Sequence, residues 1–453
     1  MHELEAAVEG SVIADEDTRT GMSSDFGRLV NRMPRFVVAP ACVRDVENVL
    51  KLADQEGVPI STRGAAHSQS GQSLVEDGIL IDLTTLKRID PVVEAKVWVD
   101  AGVVWGDLVR MLALEGWVPP VLTNNLSVTV GGTLSMAGLG VASHRFGAQV
   151  DNVAALEVVT ADGQRVVCSP SENQDLFNCS RCGLGQFSVI VRAELKLRQL
   201  EPKVRTFFLL YDDIEALMRD QEFLLHRQHI DYVESWCSPC PQGLRKMGPT
   251  RLPFAEWFYP MHLTVEYSSE PPDADKVLEG LSFYRKSHVE DITTLEYLFR
   301  LEPLFEMWRD SGTWNLTHPW MEVVLPWVTA GRYIRGVLQD FPPHLLVGGH
   351  VLLWPCRGTA SDAPMFMHPG GDFVMGFGIL PAIPKRLTGQ VLPLLQRASD
   401  LSMEVGGKRY LSGWVDFDEG RWKSHFGEKW EQVVAWKRFY DPKGILNPGF
   451  IKY

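Results

Sequence analysis

Apolar residues along the first 200 positions fall into alternating strand-like and helix-like patterns. In segment 35–67 an apolar run is followed by a helix-like stretch, a second short apolar run and a glycine-containing loop. Segment 95–117 repeats the step from strand to helix. This alternation indicates an α+β or α/β domain. The i, i+3, i+4, i+7 type of spacing predicts two helices, with apolar faces at Val46, Val49, Leu50 and Ala53 and at Val104, Leu108, Met111 and Leu112.

The pattern changes near residue 202. Before this point, two β-branched runs joined by "ADGQ" at 161–164 predict a hairpin. After it, residues 203–410 carry half of the tryptophan and two long helical patterns, at 212–227 and 293–310. The chain ends on an amphipathic helix and a tail rich in Pro and Gly. We therefore divide the chain into 1–202, 203–410 and a C-terminal segment at 411–453.

Composition narrows the class of protein. A chain of 453 residues is too long for one compact core, which predicts two domains or one domain with a large insertion. The net charge of −13 argues against a nucleic-acid partner, because such binding needs a positive field. The acidic N-terminus lacks a signal-peptide pattern, and no apolar run reaches transmembrane length. We expect a soluble, cytoplasmic protein without a membrane partner.

The seven cysteines do not indicate a disulfide framework, because their number is odd. Four of them form two CxxC pairs, Cys179 with Cys182 and Cys237 with Cys240. Compact zinc modules separate such pairs by about 15–20 residues, and the separation here is much longer. Reduced thiols are therefore the favoured interpretation, and no metal site is expected.

Three glycine-rich segments, at 63–72, 130–140 and 182–187, carry the first sign of chemistry. Small residues let backbone N–H groups approach an anion such as a pyrophosphate. Neither a GxGxxG fingerprint after a strand nor a GxxxxGK[ST] loop is present, so a Rossmann site and a P-loop are poorly supported. Together the segments suggest a large phosphate-bearing cofactor lying across the first domain.

A run of motifs makes this suggestion specific. They are "RGAAHSQSGQ", "TVGGTLSMAGLG", "HRFGAQVDNVAALEVVTADGQ", "DLFNCSRCGLGQF", "DYVES", "THPWMEVVLP" and "YDPKGILNPG". In this order the chain resembles the vanillyl-alcohol oxidase superfamily of flavoproteins, and most of all its cytokinin dehydrogenase branch. The resemblance implies an α+β, two-domain PCMH-type FAD-binding fold. Residues 1–202 and 411–453 would form the FAD domain, and 203–410 a substrate domain of a sheet backed by helices.

The same resemblance implies how FAD is held. His67 takes the position of the histidine that is bonded covalently to the 8-methyl carbon of FAD in the family. Some relatives have a second attachment through a cysteine, but this chain has Asn125 there, so a single attachment is expected. The other residues expected to contact the cofactor are Arg63, Gly64, Ala65, Ala66, Ser68, Gln72, Thr129, Gly131, Gly132, Ser135, Gly138, Val189, Ile190 and Tyr410.

One departure from the family concerns the substrate. Cytokinin dehydrogenases have an aspartate that accepts a hydrogen bond from the substrate amine, where this chain has Asn124. An amide orients a substrate but does not take its proton. Three interpretations stay open at this point. The substrate is an amine that arrives neutral, another residue such as Glu234 of "DYVES" is the base, or the activity is lost.

Three further positions raise smaller questions. Cys182 replaces a family glycine, and a bulkier side chain there could crowd the cofactor. Phe450 stands where the family usually has Gln, which puts a hydrogen bond to the cofactor in doubt. His318 of "THPW" is a candidate for the pocket wall, although capping or packing is the more common role of such a histidine.

The expected reaction is the oxidation of a small, partly aromatic amine at its C–N bond, with hydride transfer to flavin N5. Molecular oxygen or another acceptor would then reoxidise the flavin. The nearest alternative is an alcohol, sugar or secondary-metabolite tailoring oxidase, which would need a base for the hydroxyl proton. A flavin-binding protein without turnover is the further alternative. The substrate, the acceptor and the oligomeric state stay open.

Overall fold

The computed structural model describes residues 2–227 and 230–453. The helices predicted in the first domain are present as Val43–Glu56 and Trp105–Ala113, each after a strand. The predicted hairpin joins Val153–Thr160 to Arg165–Cys168. These predictions are confirmed, and the first 200 residues form an α+β unit.

Two four-stranded sheets lie in this unit. The first is mixed, with one antiparallel and two parallel pairings. In order across the sheet, its strands are Ser11–Ile13, Phe36–Ala39, Ile79–Asp82 and Ile60–Arg63. The second is antiparallel throughout. Its strands, in order, are Lys96–Asp100, Ser188–Lys196, Val153–Thr160 and Arg165–Cys168. A short pair, Trp117–Val118 and Arg198–Gln199, lies beside them.

The region after residue 202 is built on one antiparallel sheet of nine strands. Eight of them follow in the order Arg285–Thr293, Lys203–Tyr211, Thr250–Tyr267, Tyr232–Trp236, His350–Arg357, Phe373–Leu380, Met321–Pro326 and Lys408–Arg409. The ninth, Ser238–Met247, pairs with the outer half of Thr250–Tyr267 and extends it as an exposed hairpin.

The two faces of this sheet have different roles. Side chains alternate along a strand, so Val323 lies on one face and Glu322 on the other. The Val323 face is apolar and forms a core with helices behind the sheet. These helices are Ile214–Arg227, Trp327–Asp340 and Thr388–Glu404. The Glu322 face is directed at the first unit and forms one wall of a cleft. This arrangement agrees with the expected sheet backed by helices.

The prediction of one long helix at 293–310 is wrong in one respect. The structure has two helices here, Thr294–Leu298 and Glu302–Asp310, with a break between them. Pro303 lies in the first turn of the second helix, where its missing N–H group costs nothing. The break releases Arg300 from helical geometry, and its side chain reaches Asn124 and Glu234.

The C-terminal helices Glu419–Phe426 and Trp430–Tyr440 pack into the core of the first unit through Trp422, Phe426 and Val433. The remaining helices are His2–Ala7, Glu16–Met22, Val130–Leu134, Ser143–Phe146, Gln174–Ser180 and Ala274–Leu278. Within the described ranges, none of the helices combines the length and apolar character that crossing a bilayer requires.

Candidate active site

A large cleft separates the nine-stranded sheet from the glycine-rich loops of the first unit. It encloses about 1850 Å³ of empty space out to its solvent mouth. Segments 61–69, 128–136 and 184–190 contribute to one side, and the sheet face contributes Glu234, Trp236, Glu322 and Trp354 to the other. The cleft is thus bordered by both units of the chain.

The loop that carries His67 has unused backbone donors. Among the hydrogen bonds of the described residues, none is donated by a backbone N–H of residues 64–69. Ala66 adopts a left-handed φ of 50°, a conformation that costs energy for a residue other than glycine. Gly64 is required for close packing, since a Cβ there would lie 2.1 Å from Oγ1 of Thr129. A run of free N–H groups in such a loop suits an anionic group.

These features fit FAD. Its pyrophosphate matches the free N–H groups at 64–69, and the same cleft is lined by the other two glycine-rich regions, at 128–136 and 184–190. Gly185, which lines the same cleft, has a φ of 67° and no neighbour within 3.8 Å of an added Cβ, so a ligand can pass close to its backbone.

His67 lies at the centre of the cleft wall. Its Nε2 atom is 3.4 Å from Nδ2 of Asn125, the residue that replaces the second attachment point of some relatives. The edge of Trp320 packs on its ring at a centroid distance of 5.3 Å. Burial, with a smaller effect of the nearby His318, lowers the pKa of His67 to about 3. The imidazole is therefore neutral near pH 7 and has a lone pair on one nitrogen.

Phe26 connects His67 with His318. Its ring centroid is 4.2 Å from that of His67 and 4.0 Å from that of His318, and the rings of Phe26 and His318 are stacked. His318 is fully buried and does not line the cleft. The sequence candidate His318 thus supports His67 from behind.

Asn124 and Glu234, which line the cleft, form one hydrogen-bonded group with Arg300 behind them. The amide nitrogen of Asn124 donates to Oε2 of Glu234 over 3.3 Å, and Arg300 donates to the amide oxygen over 3.2 Å. Arg300 also donates to Oε1 of Glu234 from Nε at 3.0 Å and from Nη2 at 2.8 Å. The two neighbours fix the orientation of the Asn124 amide, because Arg300 needs an acceptor and Glu234 a donor.

This group holds Glu234 in its ionised form. Burial by itself would raise the pKa, but Arg300 and His262 outweigh it and lower the pKa of Glu234 to about 2. His262 lies 3.6 Å from Oε1 of Glu234. A carboxylate with so low a pKa and such strong partners is a weak base.

Most of the predicted cofactor residues come together along the cleft. Those that line it are Arg63, Gly64, Ala65, Ala66, His67, Ser68, Gln72, Thr129, Gly131, Gly132, Ser135, Ile190 and Tyr410. Gly138 and Val189 do not. Val189 lies on the opposite face of its strand from Ile190, because side chains alternate. The backbone N–H of Gly138 donates to the hydroxyl of Tyr410 over 3.1 Å, so Gly138 positions a residue of the wall.

Cys182 and Phe450, two residues that differ from the family pattern, pack in the core of the first unit. Cys182 is buried in the core with a left-handed φ of 58°, which explains why glycine suits this position. Its side chain does not line the cleft, so it does not crowd the cofactor space. Phe450 packs against Trp422 at 5.6 Å and is likewise outside the cleft.

Sequence patterns did not point to two residues of the site, Arg300 behind the cleft wall and Glu322 in it. Arg300 was hidden inside a helical pattern, and only Pro303 signalled a break there. Glu322 is the one acidic residue in the otherwise apolar strand pattern "MEVVLP". An acidic residue in such a strand is unusual, and this was the signal available.

Comparison with known proteins shows the family of this chain. Residues 34–169 match the family described as "FAD binding domain", and residues 202–451 match "Cytokinin dehydrogenase 1, FAD and cytokinin binding". An "Uncharacterized oxidoreductase ORF5 in fasciation locus" from Rhodococcoides fascians is 31% identical over 441 residues, which cover 96% of this chain and 97% of the relative. Cytokinin dehydrogenases 6 and 10 of Oryza sativa subsp. japonica are each 30% identical and match 98% of this chain, over 91% and 88% of their own lengths.

The fold and the cleft define a two-domain, FAD-dependent oxidoreductase. With a family match over 202–451 and relatives aligned along nearly the whole chain, the protein belongs to the cytokinin dehydrogenase family.

Proposed function

We propose that this oxidoreductase oxidises a small, partly aromatic amine at its C–N bond, with FAD attached covalently through His67. The observation that carries the amine proposal is the hydrogen-bonded group of Asn124, Glu234 and Arg300 beside His67. It offers hydrogen bonds to a substrate nitrogen and no effective proton acceptor. FAD, when bound, supplies the acceptor for a hydride from the substrate.

The neutral imidazole of His67 supports the covalent attachment. Attachment to carbon needs a nitrogen lone pair, and the low pKa of His67 keeps one available at neutral pH. The amide nitrogen Nδ2 of Asn125 lies 3.4 Å from Nε2 of His67 and restrains the imidazole ring, and the Phe26 ring packs on the same imidazole. Asn125 has no thiol, which supports a single attachment.

Asn124 would orient the substrate nitrogen. Its amide oxygen has a second lone pair and its amide nitrogen a second proton beyond those used by Arg300 and Glu234. Glu234 is unsuited to act as the base. With a pKa of about 2, its carboxylate has little tendency to take up a proton. The geometry therefore favours a substrate whose nitrogen is neutral when hydride leaves. An alcohol would still need a base for its hydroxyl proton.

Anaerobic reduction of the purified flavoprotein tests this proposal. A panel of N-alkyl arylamines, including an adenine-type cytokinin, is compared with alcohols and sugars of matched carbon skeleton. We expect amines to bleach the flavin absorbance and alcohols to leave it unchanged. Bleaching by alcohols alone would favour the alcohol oxidase, and no bleaching by any compound would favour a flavin-binding protein without turnover. Readmission of O₂ then shows whether oxygen serves as the acceptor.

A further inference from the structure

Glu322 is a buried carboxyl group in the wall of the cleft that the proposed reaction does not use. It lies on the strand Met321–Pro326, on the face directed at the cleft, and only 8% of its surface is exposed. Its Oε2 atom accepts a hydrogen bond from the hydroxyl of Ser412 at 2.8 Å. Its Oε1 atom has no hydrogen-bond partner among the described residues. This oxygen is not fully enclosed by protein, so a ligand in the cleft can reach it.

Glu322 is well separated from Glu234. In the sheet it pairs with Gly378, which pairs with Leu352, which in turn pairs with Trp236 on the strand of Glu234. Three strand spacings correspond to about 14 Å. The two carboxyl groups therefore face different parts of the same cleft.

The surroundings of Glu322 are aromatic. Trp320 precedes it by two residues, on the same face of the sheet. Trp354 lies over Gly376 and Gly378, and a Cβ at Gly378 would be 3.4 Å from Cη2 of Trp354 and 3.5 Å from Cγ of Glu322. The indole of Trp354 and the carboxyl group are thus neighbours, separated by a glycine. A carboxyl group beside aromatic rings suits a hydrogen-bond donor, charged or neutral.

We propose that Glu322 is a specificity-determining residue, whose Oε1 binds a hydrogen-bond-donating group, hydroxyl or ammonium, on the part of the substrate remote from the oxidised C–N bond. This inference rests on the proposed function and deepens it, since it gives the substrate a second polar group. The hydroxyl of Ser412 fixes the orientation of the carboxyl group by holding Oε2.

The charge of Glu322 changes near neutral pH. Burial raises its pKa to about 7, against the opposing effects of the Ser412 hydroxyl and the Arg409 guanidinium. The charged or titratable groups that face it are Arg409 and the phenol of Tyr410. Arg409 donates to the backbone oxygen of Glu322 and to Ser399, so it forms no ion pair with the carboxylate. Because Glu322 is ionised above pH 7, an ammonium group should bind better at pH 8 than at pH 5.5.

Equilibrium binding to the FAD-loaded enzyme tests the proposal. The probes are N-alkyl anilines whose N-linked carbon bears two methyl groups and no hydrogen, so that they bind without being oxidised. Their alkyl chains end in methyl, hydroxyl or ammonium. At pH 8 we expect the hydroxyl and ammonium probes, or one of them, to bind at least tenfold more tightly than the methyl probe. The preference for ammonium should fall at least tenfold at pH 5.5.

Glu322→Gln should abolish these preferences, because Ser412 will hold the amide oxygen and turn the NH₂ group into the cleft. Ser412→Ala, a milder change, should weaken them, and the exposed Glu404→Gln should leave them unchanged. The FAD content of each variant checks its folding. In difference infrared spectra, the protonated carboxyl band that the natural protein loses between pH 6 and pH 8 should be smaller in Glu322→Gln, where Asp25 and Asp151, each with a pKa of about 6, still contribute.

Equal binding of the three probes would overturn this inference and leave the amine proposal standing, and so would a Glu322→Gln variant that keeps the preference. If no aniline binds while FAD stays attached, the amine proposal fails as well.

Discussion

The guanidinium of Arg300 and the carboxylate of Glu234 form a buried ion pair, with Nη2 of Arg300 2.8 Å from Oε1 of Glu234. Glu234 is only 2% exposed, so its charge depends on this partner. The arginine comes from a break between two helices, and the glutamate from a central strand of the large sheet. The pair thereby links the two-helix segment 294–310 to the nine-stranded sheet.

Arg300→Leu should destabilise the protein strongly. Removing one partner of a buried ion pair typically costs about 3–5 kcal/mol, because the remaining charge stays buried. Burial raises the pKa of Glu234, but Arg300 and His262 together lower it from 4.5 to about 2, so the ionised form of Glu234 in these surroundings contributes about 3 kcal/mol above pH 4.5, which is lost as the pH falls towards 2. In the variant Glu234 is easier to protonate, and the difference in unfolding free energy should shrink between pH 7 and pH 4. Urea unfolding at several pH values measures it.

A surface arginine provides the control for this variant. Arg397 pairs with Asp340 at 3.4 Å, and both side chains are more than half exposed. Arg397→Leu should cost about 0–1 kcal/mol at any of these pH values. Equal destabilisation by the two substitutions would show that Arg300 does not neutralise a buried charge.

Asn124→Asp should change the pH dependence of substrate binding. The new carboxyl group would lie about 3 Å from Glu234, and two carboxylates this close do not both ionise freely, so one pKa rises. We expect the apparent pKa in kcat/KM to shift and the preference among amines to change. The exposed Asn315, whose oxygen accepts from Arg28, gives a matched Asn→Asp control. Kinetics that are unchanged at every pH would place Asn124 outside the substrate site.

Gly376→Ala should disturb the cleft through Trp354. A Cβ at Gly376 would lie 2.4 Å from Nε1 of Trp354, so the indole would have to move. Overpacking of this kind typically costs about 1–3 kcal/mol, and we expect weaker binding of aromatic amines as well. Gly389→Ala is the control, because no atom lies within 4 Å of the added Cβ and the helix gains up to about 1 kcal/mol. Equal effects of the two variants on unfolding and on binding would contradict a role for the glycine in seating Trp354.

The local pattern of apolar and polar residues was sufficient to predict much of the fold. The apolar face of Val43–Glu56 and the hairpin at 161–164 are encoded in neighbouring residues, and the structure agrees with both. The loop containing His67 was recognisable because small residues cluster around a single histidine. The alternation of side chains along Ser188–Lys196 also separates Ile190 from Val189, although their numbers are adjacent.

The polar groups of the substrate side were harder to predict, since they depend on long-range pairing. Arg300 meets Glu234 only because the helix breaks before Glu302 and because the sheet brings residue 234 beneath it. The position of Glu322 in the cleft follows from strand register between segments far apart in sequence. Neither relationship has a local signature.

The attachment of FAD at His67 is the central claim, and the mass of the denatured protein tests it most directly. The intact chain, unfolded in acid or SDS, should stay yellow and exceed the mass of the polypeptide by one FAD. His67→Ala, expressed in parallel, should release all of its flavin on unfolding. Complete release of flavin from the natural protein, or a covalent adduct that persists in His67→Ala, would contradict the account.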